Sequence, residues 1–385
     1  MTSISTHSEQ DRMVLLDILR GFAVLGIFFV NVPDMIGSGL AFRSTFTGFD
    51  ALLRLLYDMF FQTKLYTIFS FLFGAGFMIF MQNAERKGFP AKRLFLRRLM
   101  ALLVIGLLHA VLLWFGDILT TYALLGLLLL PFYRRSVPTL IVWSLILLGL
   151  FTLLIFMLYA WFPSGTAGSR MFTHIPSMRE RLDFLLRIGL LNNLIFGFEV
   201  VGLYLLGMVA AKKQWFAGEL RVPVVRSLQL AALAISVLLF VPMVQYYRSS
   251  PVYNTYAVYL YIYLSGKSMA MFYVCTLLLA VKRWGSERFR GLAAAGRLSL
   301  TVYLLQTVVT FGLIAVFGQR LNELPLWLGM GYAAVLSVLF IICSKAWLKR
   351  YRMGPAEWLW RTLTYGELPA FRRQEDRASS RTMPL

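Results

Sequence analysis

The sequence contains little cysteine, little histidine and few charged residues. The two cysteines, Cys275 and Cys343, both lie inside apolar stretches, which excludes a disulfide-stabilised scaffold and a zinc ribbon. Three histidines leave little room for a histidine-based metal site, so no metal is expected. Charged residues make up 15% of the chain, against about 25% in a soluble domain, and hydrophobic residues make up 59%. This composition excludes a soluble enzyme, a disordered chain and a repeat solenoid.

Acidic residues are especially scarce, and 38 Lys and Arg against 18 Asp and Glu give a formal net charge of +20. Such a charge can indicate nucleic-acid binding, but here the basic residues lie in short clusters between apolar runs. The clusters fall at 86–98, 134–135, 212–213, 282–290 and 349–352. Every second connection is therefore rich in Lys and Arg, as the cytoplasmic loops of membrane proteins are. We expect both termini in the cytoplasm and reject nucleic acid as a partner.

Apolar runs long enough to cross a bilayer, about 20 residues each, recur along the chain. They lie at about 13–31, 65–84, 96–115, 118–133, 138–161, 187–211, 223–245, 255–281, 298–318 and 326–348. The predicted fold class is therefore an all-α polytopic membrane protein with about ten transmembrane helices. In this interpretation residues 1–366 form a single membrane domain, and residues 367–385 form a polar, disordered cytoplasmic tail.

Two of the apolar segments are unusual. The run at 118–133 is short, and only Gly116 and Asp117 separate it from the preceding run, so the two are expected to form a tight helical hairpin. Segment 51–61 is too short to span a bilayer and contains Arg54 and Asp58. We expect it to form an amphipathic helix on the outer surface or a re-entrant helix. If it crossed instead, the N-terminus would lie on the other side.

Ionisable side chains inside a bilayer are costly unless they are paired or hydrated, so each is a candidate functional residue. His109 lies roughly 16 Å from the basic end of its helix, and Glu199 reaches a similar depth, near the middle of a hydrocarbon core about 30 Å thick. A neutral imidazole is a usable general base near neutral pH, so His109 and Glu199 are predicted catalytic residues. The structural alternatives are a hydrogen bond from His109 to a facing carbonyl, and a Glu199 that is protonated or paired with Lys267.

Asp117 is the third candidate catalytic residue. It follows His109 by eight positions, which is about 12 Å along a straight helix, so it cannot orient the imidazole unless the helix breaks at Gly116. Glu199 lies at a depth in the membrane similar to that of His109, so it is preferred over Asp117 as the carboxylate that orients the imidazole. The structural alternative for Asp117 is to cap the helix that follows it.

The remaining polar candidates also have structural interpretations. Asp17 and Arg20 lie three positions apart near the inner end of the first helix, so they can neutralise each other. Gln306 is expected to hydrogen-bond between helices. Asn31 lies at the outer end of the first helix, where it is expected to position a substrate.

Several segments of the chain are distinctive sequence motifs. They are 16–27 with Asn31, 69–77, 97–109, 114–119 with 122–126, 296–306 and 354–366. The most specific are 114–119, which reads Trp-Phe-Gly-Asp-Ile-Leu, and 354–366, which begins Gly-Pro-Ala-Glu-Trp-Leu-Trp-Arg. Over nearly the whole chain these segments resemble the YeiB-like family of the bacterial cytoplasmic (inner) membrane, known as domain of unknown function 418.

The resemblance implies kinship with the membrane acyltransferase superfamily, which includes polysaccharide O-acetyltransferases and the lysosomal heparan glucosaminide N-acetyltransferase. By this likeness Asp17, Arg20 and Asn31 occupy matching motif positions. The catalytic histidine of the lysosomal enzyme lies in the loop after its first span, but residues 32–64 here contain no histidine. Either His109 has taken over that role or the acyl chemistry is absent.

The leading hypothesis is an integral membrane acyltransferase that moves an acyl group, such as acetyl, from cytoplasmic acyl-CoA to an envelope glycan or lipid. Acyl-CoA is then a co-substrate, and no tightly bound cofactor is expected. Arg97 and Arg98 are the predicted contacts to the donor phosphates. The predicted substrate-binding residues are Asn31, Asp17, Arg20, Tyr122 and Gln306.

The alternative is a transporter or flippase of a small metabolite or lipid, without covalent chemistry. Ten spans and ionisable residues near the midplane suit transport equally well. A scaffold or regulatory membrane subunit is a third interpretation. In all three interpretations membrane lipids surround the protein. For the acyltransferase and the transporter, a small molecule or glycolipid is the expected substrate. The oligomeric state does not follow from the sequence.

Overall fold

The computed structural model describes residues 3–161, 172, 174–216, 221–317 and 325–373, with only the backbone of residues 3–12 and Leu190. The α-helices are α1 (Ser3–Met35), α2 (Gly48–Phe60), α3 (Lys64–Arg86), α4 (Ala91–Leu112), α5 (Leu119–Gly126), α6 (Val137–Trp161), α7 (Met178–Phe184), α8 (Leu190–Lys212), α9 (Val222–Ser249), α10 (Tyr259–Trp284), α11 (Arg290–Arg297), α12 (Ser299–Phe317), α13 (Leu326–Arg350) and α14 (Pro355–Tyr365). Short 3₁₀ helices lie at Leu127–Phe132, Thr255–Val258 and Ser286–Phe289, and a π-helical turn lies at Leu185–Gly189. Two strands, β1 (Thr45–Phe46) and β2 (Tyr253–Asn254), form an antiparallel pair.

Nine helices in this described part of the chain are long and apolar enough to cross a membrane. They are α1 from Met13 onward, the segment Gly48–Arg86 (which joins α2 and α3), α4, α6, α8 from Leu191 onward, α9, the segment Thr255–Trp284 (which contains α10), α12 and α13. The shorter apolar helix Leu119–Phe132, formed by α5 and the 3₁₀ helix after it, occupies the position of the remaining predicted run. The all-α polytopic membrane fold predicted from the sequence is confirmed.

The helices run alternately between two ends of the bundle. We call the end that carries the Lys and Arg clusters the basic end, and the other the opposite end. At the basic end, Lys212 Nζ donates to the Arg135 carbonyl at 2.5 Å, and Arg297 Nη2 donates to the Arg352 carbonyl at 3.2 Å. At the opposite end, β1 follows α1 and pairs with β2, which follows α9. The clusters that the sequence assigns to one side of a membrane therefore lie together.

Helix α2 packs at the opposite end against α9, α10 and α13. Its charged residues face the protein, where Arg54 and Asp58 form an ion pair at 3.0 Å with side-chain exposures of 1% and 0%. Its apolar residues Phe49 and Leu52 point outward and are exposed by 62% and 38%. The predicted additional helix is present, but its orientation is the reverse of a surface helix, whose charged face would meet water.

Glycine permits the closest helix contacts in the bundle. A Cβ atom on Gly296 of α11 would lie 1.8 Å from the carbonyl oxygen of Asp17 on α1. A Cβ atom on Gly207 of α8 would lie 2.0 Å from the carbonyl oxygen of Phe71 on α3. Only glycine fits at such distances, because any side chain would overlap the backbone of the neighbouring helix. These contacts hold α1 against α11 and α3 against α8.

Helix α14 lies at the basic end and caps α12. Glu357 accepts hydrogen bonds from the backbone N–H groups of Leu300 and Thr301 at 2.7 and 3.1 Å, in the first turn of α12. Residues 367–373, which the sequence assigns to the tail, continue the fold through a backbone bridge between Tyr351 and Arg372. The folded domain therefore extends past the predicted boundary at 366. Residues 374–385 lie outside the described residues.

Candidate functional site

The central feature of the site is a buried histidine whose two ring nitrogens both have partners. His109 lies in the last turn of α4 and is 3% exposed. Its Nδ1 lies 2.9 Å from Asp117 Oδ1, and its Nε2 lies 3.0 Å from Thr307 Oγ1 on α12. Because a carboxylate only accepts, we assign the ring proton to Nδ1, which leaves Nε2 to accept the Thr307 hydroxyl proton.

Asp117 reaches the imidazole because the chain turns sharply after α4. The helix ends at Leu112, and the Trp114 N–H bonds back to the His109 carbonyl at 3.0 Å. Asp117 Oδ2 then accepts the N–H of Thr120 at 2.7 Å, so the residue also caps α5, as predicted. The expectation that Glu199 orients the imidazole is wrong, because the helix ends before Gly116 and returns Asp117 to His109.

A glycine makes room for this turn. A Cβ atom on Gly106, about one turn before His109, would lie 2.6 Å from the backbone nitrogen of Thr120 and 3.0 Å from Asp117 Oδ2. A side chain at Gly106 would therefore push the turn away from α4 and separate the carboxylate from the imidazole.

Helix α12 contributes two residues that the sequence interpretation missed. Thr307 is completely buried, and Tyr303 lies one turn before it with its ring centroid 5.3 Å from that of His109. The Tyr303 hydroxyl donates to Asp117 Oδ1 at 3.4 Å and accepts the Ile118 N–H at 3.3 Å. A signal was present in the sequence: Tyr303, Thr307 and nearby polar residues form a stripe along one face of an apolar helix.

Glu199 belongs to a second polar cluster. It lies on α8, is fully buried, and forms an ion pair with Lys267 of α10, so the structural pairing considered from the sequence is present. Glu199 Oε2 also accepts the hydroxyl of Tyr66 on α3 at 2.5 Å. Lys267 Nζ donates in addition to the Tyr263 carbonyl at 3.0 Å. The carboxylate is therefore fixed by one cation and one phenol, and neither of these contacts involves His109.

A cavity of about 400 Å³ at the opposite end lies between the two clusters. Asp117, which orients His109, lines this cavity, and so does Tyr66, which binds Glu199. The imidazole and the Glu199 carboxylate lie behind these two residues and do not line it. Asn31 is on the wall, as expected for a substrate-positioning residue, and its side chain makes no hydrogen bond within the described chain. The cavity is formed by residues of the opposite end, so it does not open at the basic end.

The other predicted substrate-binding residues lie away from the wall of this cavity. Asp17 and Arg20 form the expected ion pair, at 2.8 Å, in the half of α1 nearest the basic end. Gln306 Nε2 donates to the Val24 carbonyl on α1 at 3.0 Å, as expected for an interhelical hydrogen bond. The buried Tyr122 hydroxyl lies 2.8 Å from Ser70 Oγ of α3. Gln306 and Tyr122 therefore hold helices together, whereas Asp17 and Arg20 neutralise each other within α1.

The two arginines predicted to meet donor phosphates have different surroundings. The Arg98 guanidinium stacks 3.7 Å from the Trp360 ring centroid of α14, and the Trp360 indole N–H donates to the Arg98 carbonyl at 2.8 Å. Arg98 therefore fastens α14 to α4, and its contact with a donor phosphate stays a prediction. Arg97 is exposed at the basic end, with one hydrogen bond to the Leu363 carbonyl at 3.3 Å.

Metal ligands do not cluster in the described residues: no group of three or more His, Cys, Asp or Glu lies close enough to hold a metal ion. The carboxylate, imidazole and hydroxyl of Asp117, His109 and Thr307 form a continuous hydrogen-bonded series. This order of orienting group, base and hydroxyl is the one that activates a nucleophile in covalent catalysis.

Comparison with known proteins gives a family but no activity. A family profile described as "Protein of unknown function (DUF418)" matches residues 210–367. The chain is 31% identical to the uncharacterized protein YxaH of Bacillus subtilis (strain 168), over 95% of this chain and 97% of that protein. It is 29% identical to the uncharacterized protein YeiB of Escherichia coli (strain K12), over 92% of this chain and 96% of that protein. No solved structure matches the chain.

Proposed function

This chain belongs to the YeiB-like DUF418 family, and we propose that it is an integral membrane acyltransferase of the bacterial inner membrane. The donor is acyl-CoA, and the acceptor is a hydroxyl or amine of an envelope glycan or lipid. The observation that supports this proposal is the hydrogen-bonded series Asp117–His109–Thr307. The Lys and Arg clusters favour a cytoplasmic basic end, so the cavity at the opposite end faces the envelope.

In the first step His109 Nε2 accepts the Thr307 hydroxyl proton while Thr307 Oγ1 attacks the thioester carbonyl. The carbon–sulfur bond breaks, CoA leaves as the thiol after taking the proton from the imidazolium, and the acyl group remains as an ester on Thr307. The Asp117 carboxylate stabilises the imidazolium formed on the way. Thr307 thus holds the acyl group between the two sides of the membrane.

In the second step an acceptor hydroxyl or amine replaces CoA. His109 Nε2 accepts its proton, the acceptor attacks the ester carbonyl, and the Thr307 oxygen leaves and recovers the proton. The donor must pass an apolar layer first, because Leu102, Leu300 and Leu304 pack together between this pair and the basic end. Acyl delivery therefore requires these side chains to separate. The acceptor in turn must pass Asp117 to reach the ester, because Asp117 lines the cavity whereas the fully buried Thr307 does not.

The proposal is tested with the full chain in lipid nanodiscs and radiolabelled acetyl-CoA as the donor. Wild type is expected to release CoA and to carry label on Thr307, located by mass spectrometry of digested protein. Thr307→Val and His109→Ala are expected to lose the label, and Thr307→Ser is expected to retain it. Thr310→Val is the matched control, since Thr310 is also buried on α12 but bonds to the Gln306 carbonyl. Equal labelling of Thr307→Val and wild type would reject the proposal.

One observation favours transport as a second candidate. The fully buried Glu199, paired with Lys267, lies directly behind Tyr66 on the cavity wall, and such intramembrane pairs mark solute or proton paths in transporters. A transporter would lose solute uptake into proteoliposomes in Glu199→Gln and keep it in Thr307→Val. An acyltransferase would instead lose CoA release in Thr307→Val and keep it in Glu199→Gln.

A further inference from the structure

The wall of the cavity at the opposite end carries several polar side chains on a largely apolar surface, but no cation among the described residues. Four amide side chains line it, Asn31, Gln62, Asn192 and Asn193, whereas no lysine or arginine does among the described residues. Phosphate, sulfate and carboxylate groups are normally bound by lysine or arginine, through charge-assisted hydrogen bonds. The wall is therefore unsuited to an anionic ligand.

Three of these amides are free to bind a ligand. Within the described chain, the side chains of Asn31, Gln62 and Asn192 form no hydrogen bond, and all three are half-buried. Asn193 differs, because its Oδ1 accepts the hydroxyl of Thr121 at 2.6 Å. An amide offers a donor and an acceptor side by side, which matches the two functions of a hydroxyl group. Free amides in a half-enclosed cavity thus indicate a ligand with several hydroxyls.

Tyrosines form another part of the wall. The ring centroids of Tyr256 and Tyr259 lie 5.6 Å apart, and those of Tyr259 and Tyr263 lie 4.8 Å apart. Tyr66 completes this group, and its hydroxyl already donates to Glu199, so its oxygen remains as an acceptor. A tyrosine ring combines an apolar surface with a polar hydroxyl, which suits a ligand that has C–H groups on one face and hydroxyls at its edge.

The two acidic residues on the wall accept hydrogen bonds from the protein, and Asp34 keeps its second carboxylate oxygen as an acceptor for a ligand hydroxyl. Asp117 bonds to His109 and Thr120, and Asp34 Oδ1 accepts the Ala41 N–H at 3.0 Å. The volume of about 400 Å³ falls within the range of roughly 300–1,000 Å³ typical of small-molecule sites. From the free amides, the tyrosines and the lack of lysine or arginine on the described wall, we infer that this cavity binds an uncharged sugar ring. As the acceptor site of the enzyme, it rests on the proposed function.

The experiment measures binding to the full chain in nanodiscs without acyl-CoA, by saturation-transfer NMR and titration calorimetry. The probes are methyl β-glucoside and methyl N-acetyl-β-glucosaminide, with choline and glucose 6-phosphate as cationic and anionic competitors. At least one neutral glycoside is expected to bind more tightly than either charged probe. Asn31→Ala and Asn192→Ala are each expected to weaken it about fivefold, the effect of one lost hydrogen bond.

Asn83→Ala is the matched control, because Asn83 is a half-buried amide near the basic end of α3, and it is expected to leave binding unchanged. Failure of both glycosides to bind, tighter binding of choline or of the phosphate, or equal binding by all variants would overturn the inference. Label on Thr307 without glycoside binding would support the acyltransferase and reject the sugar site. Glycoside binding without any acyl transfer would support the sugar site and reject the enzyme.

Discussion

His109 Nδ1 and Asp117 Oδ1 lie 2.9 Å apart, although a straight helix would separate these residues by about 12 Å. The sharp turn after Leu112 closes this distance and gives Asp117 two partners, the imidazole and the N–H of Thr120. Orientation of the base and capping of α5 therefore depend on one carboxylate. Substitutions at Asp117 can separate these two roles.

We expect Asp117→Asn to slow acylation of Thr307 about 10²- to 10⁴-fold, because asparagine cannot stabilise the imidazolium. The helix cap should survive, since asparagine caps as well as aspartate does, whereas Asp117→Ala should also lose about 1 kcal/mol of stability. Single-turnover labelling gives the rate, and thermal unfolding in detergent gives the stability. Wild-type acylation in Asp117→Asn would show that the carboxylate serves the fold alone.

The ion pair between the fully buried Glu199 and the half-buried Lys267 should be coupled in stability. Lys267→Met alone is expected to destabilise the protein by about 2–4 kcal/mol, because the Glu199 carboxylate is left buried without its cation. Combining it with Glu199→Gln should recover most of this loss, since the Tyr66 hydroxyl can still donate to the amide oxygen. A double-mutant cycle of unfolding free energies measures the coupling. Purely additive losses would contradict the pairing.

Arg97 and Arg98 should behave differently despite being neighbours. Arg98→Ala is expected to cost about 1–2 kcal/mol of stability, because the stacking on Trp360 that fastens α14 is lost. Arg97→Ala should leave stability unchanged and raise the KM for acyl-CoA about three- to tenfold with kcat unchanged, since this exposed cation is available to the donor phosphates. Thermal unfolding and steady-state CoA release distinguish the two effects. An unchanged KM would remove Arg97 from the donor site.

Gly296 should be intolerant of even a methyl group. Gly296→Ala is expected to destabilise the protein by about 1–3 kcal/mol, because the new Cβ would overlap the Asp17 carbonyl and α1 would have to move away from α11. Gly312→Ala is the matched control, with no atom within 4 Å of its Cβ position. It should be neutral or gain up to about 1 kcal/mol in helix propensity. Equal melting temperatures for the two variants would contradict this close contact.

The helices that cross the bundle could be predicted from the sequence, because long apolar runs separated by basic clusters leave few other folds. The orientation of α2 could not be predicted from the sequence. An amphipathic pattern shows that two faces differ, but it does not show whether Arg54 and Asp58 meet water or each other. The partner that decides this, Tyr253, lies far away in the sequence and binds Asp58 at 3.0 Å.

The site was predictable only in part. His109, Asp117 and Glu199 stood out because ionisable residues are rare in apolar helices. Thr307 did not, since threonine is common in such helices and only its place opposite His109 distinguishes it. The Asp117 contact was foreseen only on the condition that the helix breaks at Gly116, and Glu199 was preferred because distance was counted along a straight helix; the chain in fact turns back after Leu112.

The inward-facing charged residues of α2, Arg54 and Asp58, have a consequence for how the protein is synthesised and inserted. Asp58 and Tyr253, which bond to each other, are 195 positions apart in the chain, so α2 is synthesised long before its partner exists. Until the C-terminal half is inserted, Asp58 lacks this partner and α2 lacks α9, α10 and α13, so we expect the Arg54–Asp58 pair to stay near the lipid headgroups. The N-terminal half therefore reaches its final place in the bilayer only after the C-terminal half arrives, and neither half is an independent unit of biogenesis.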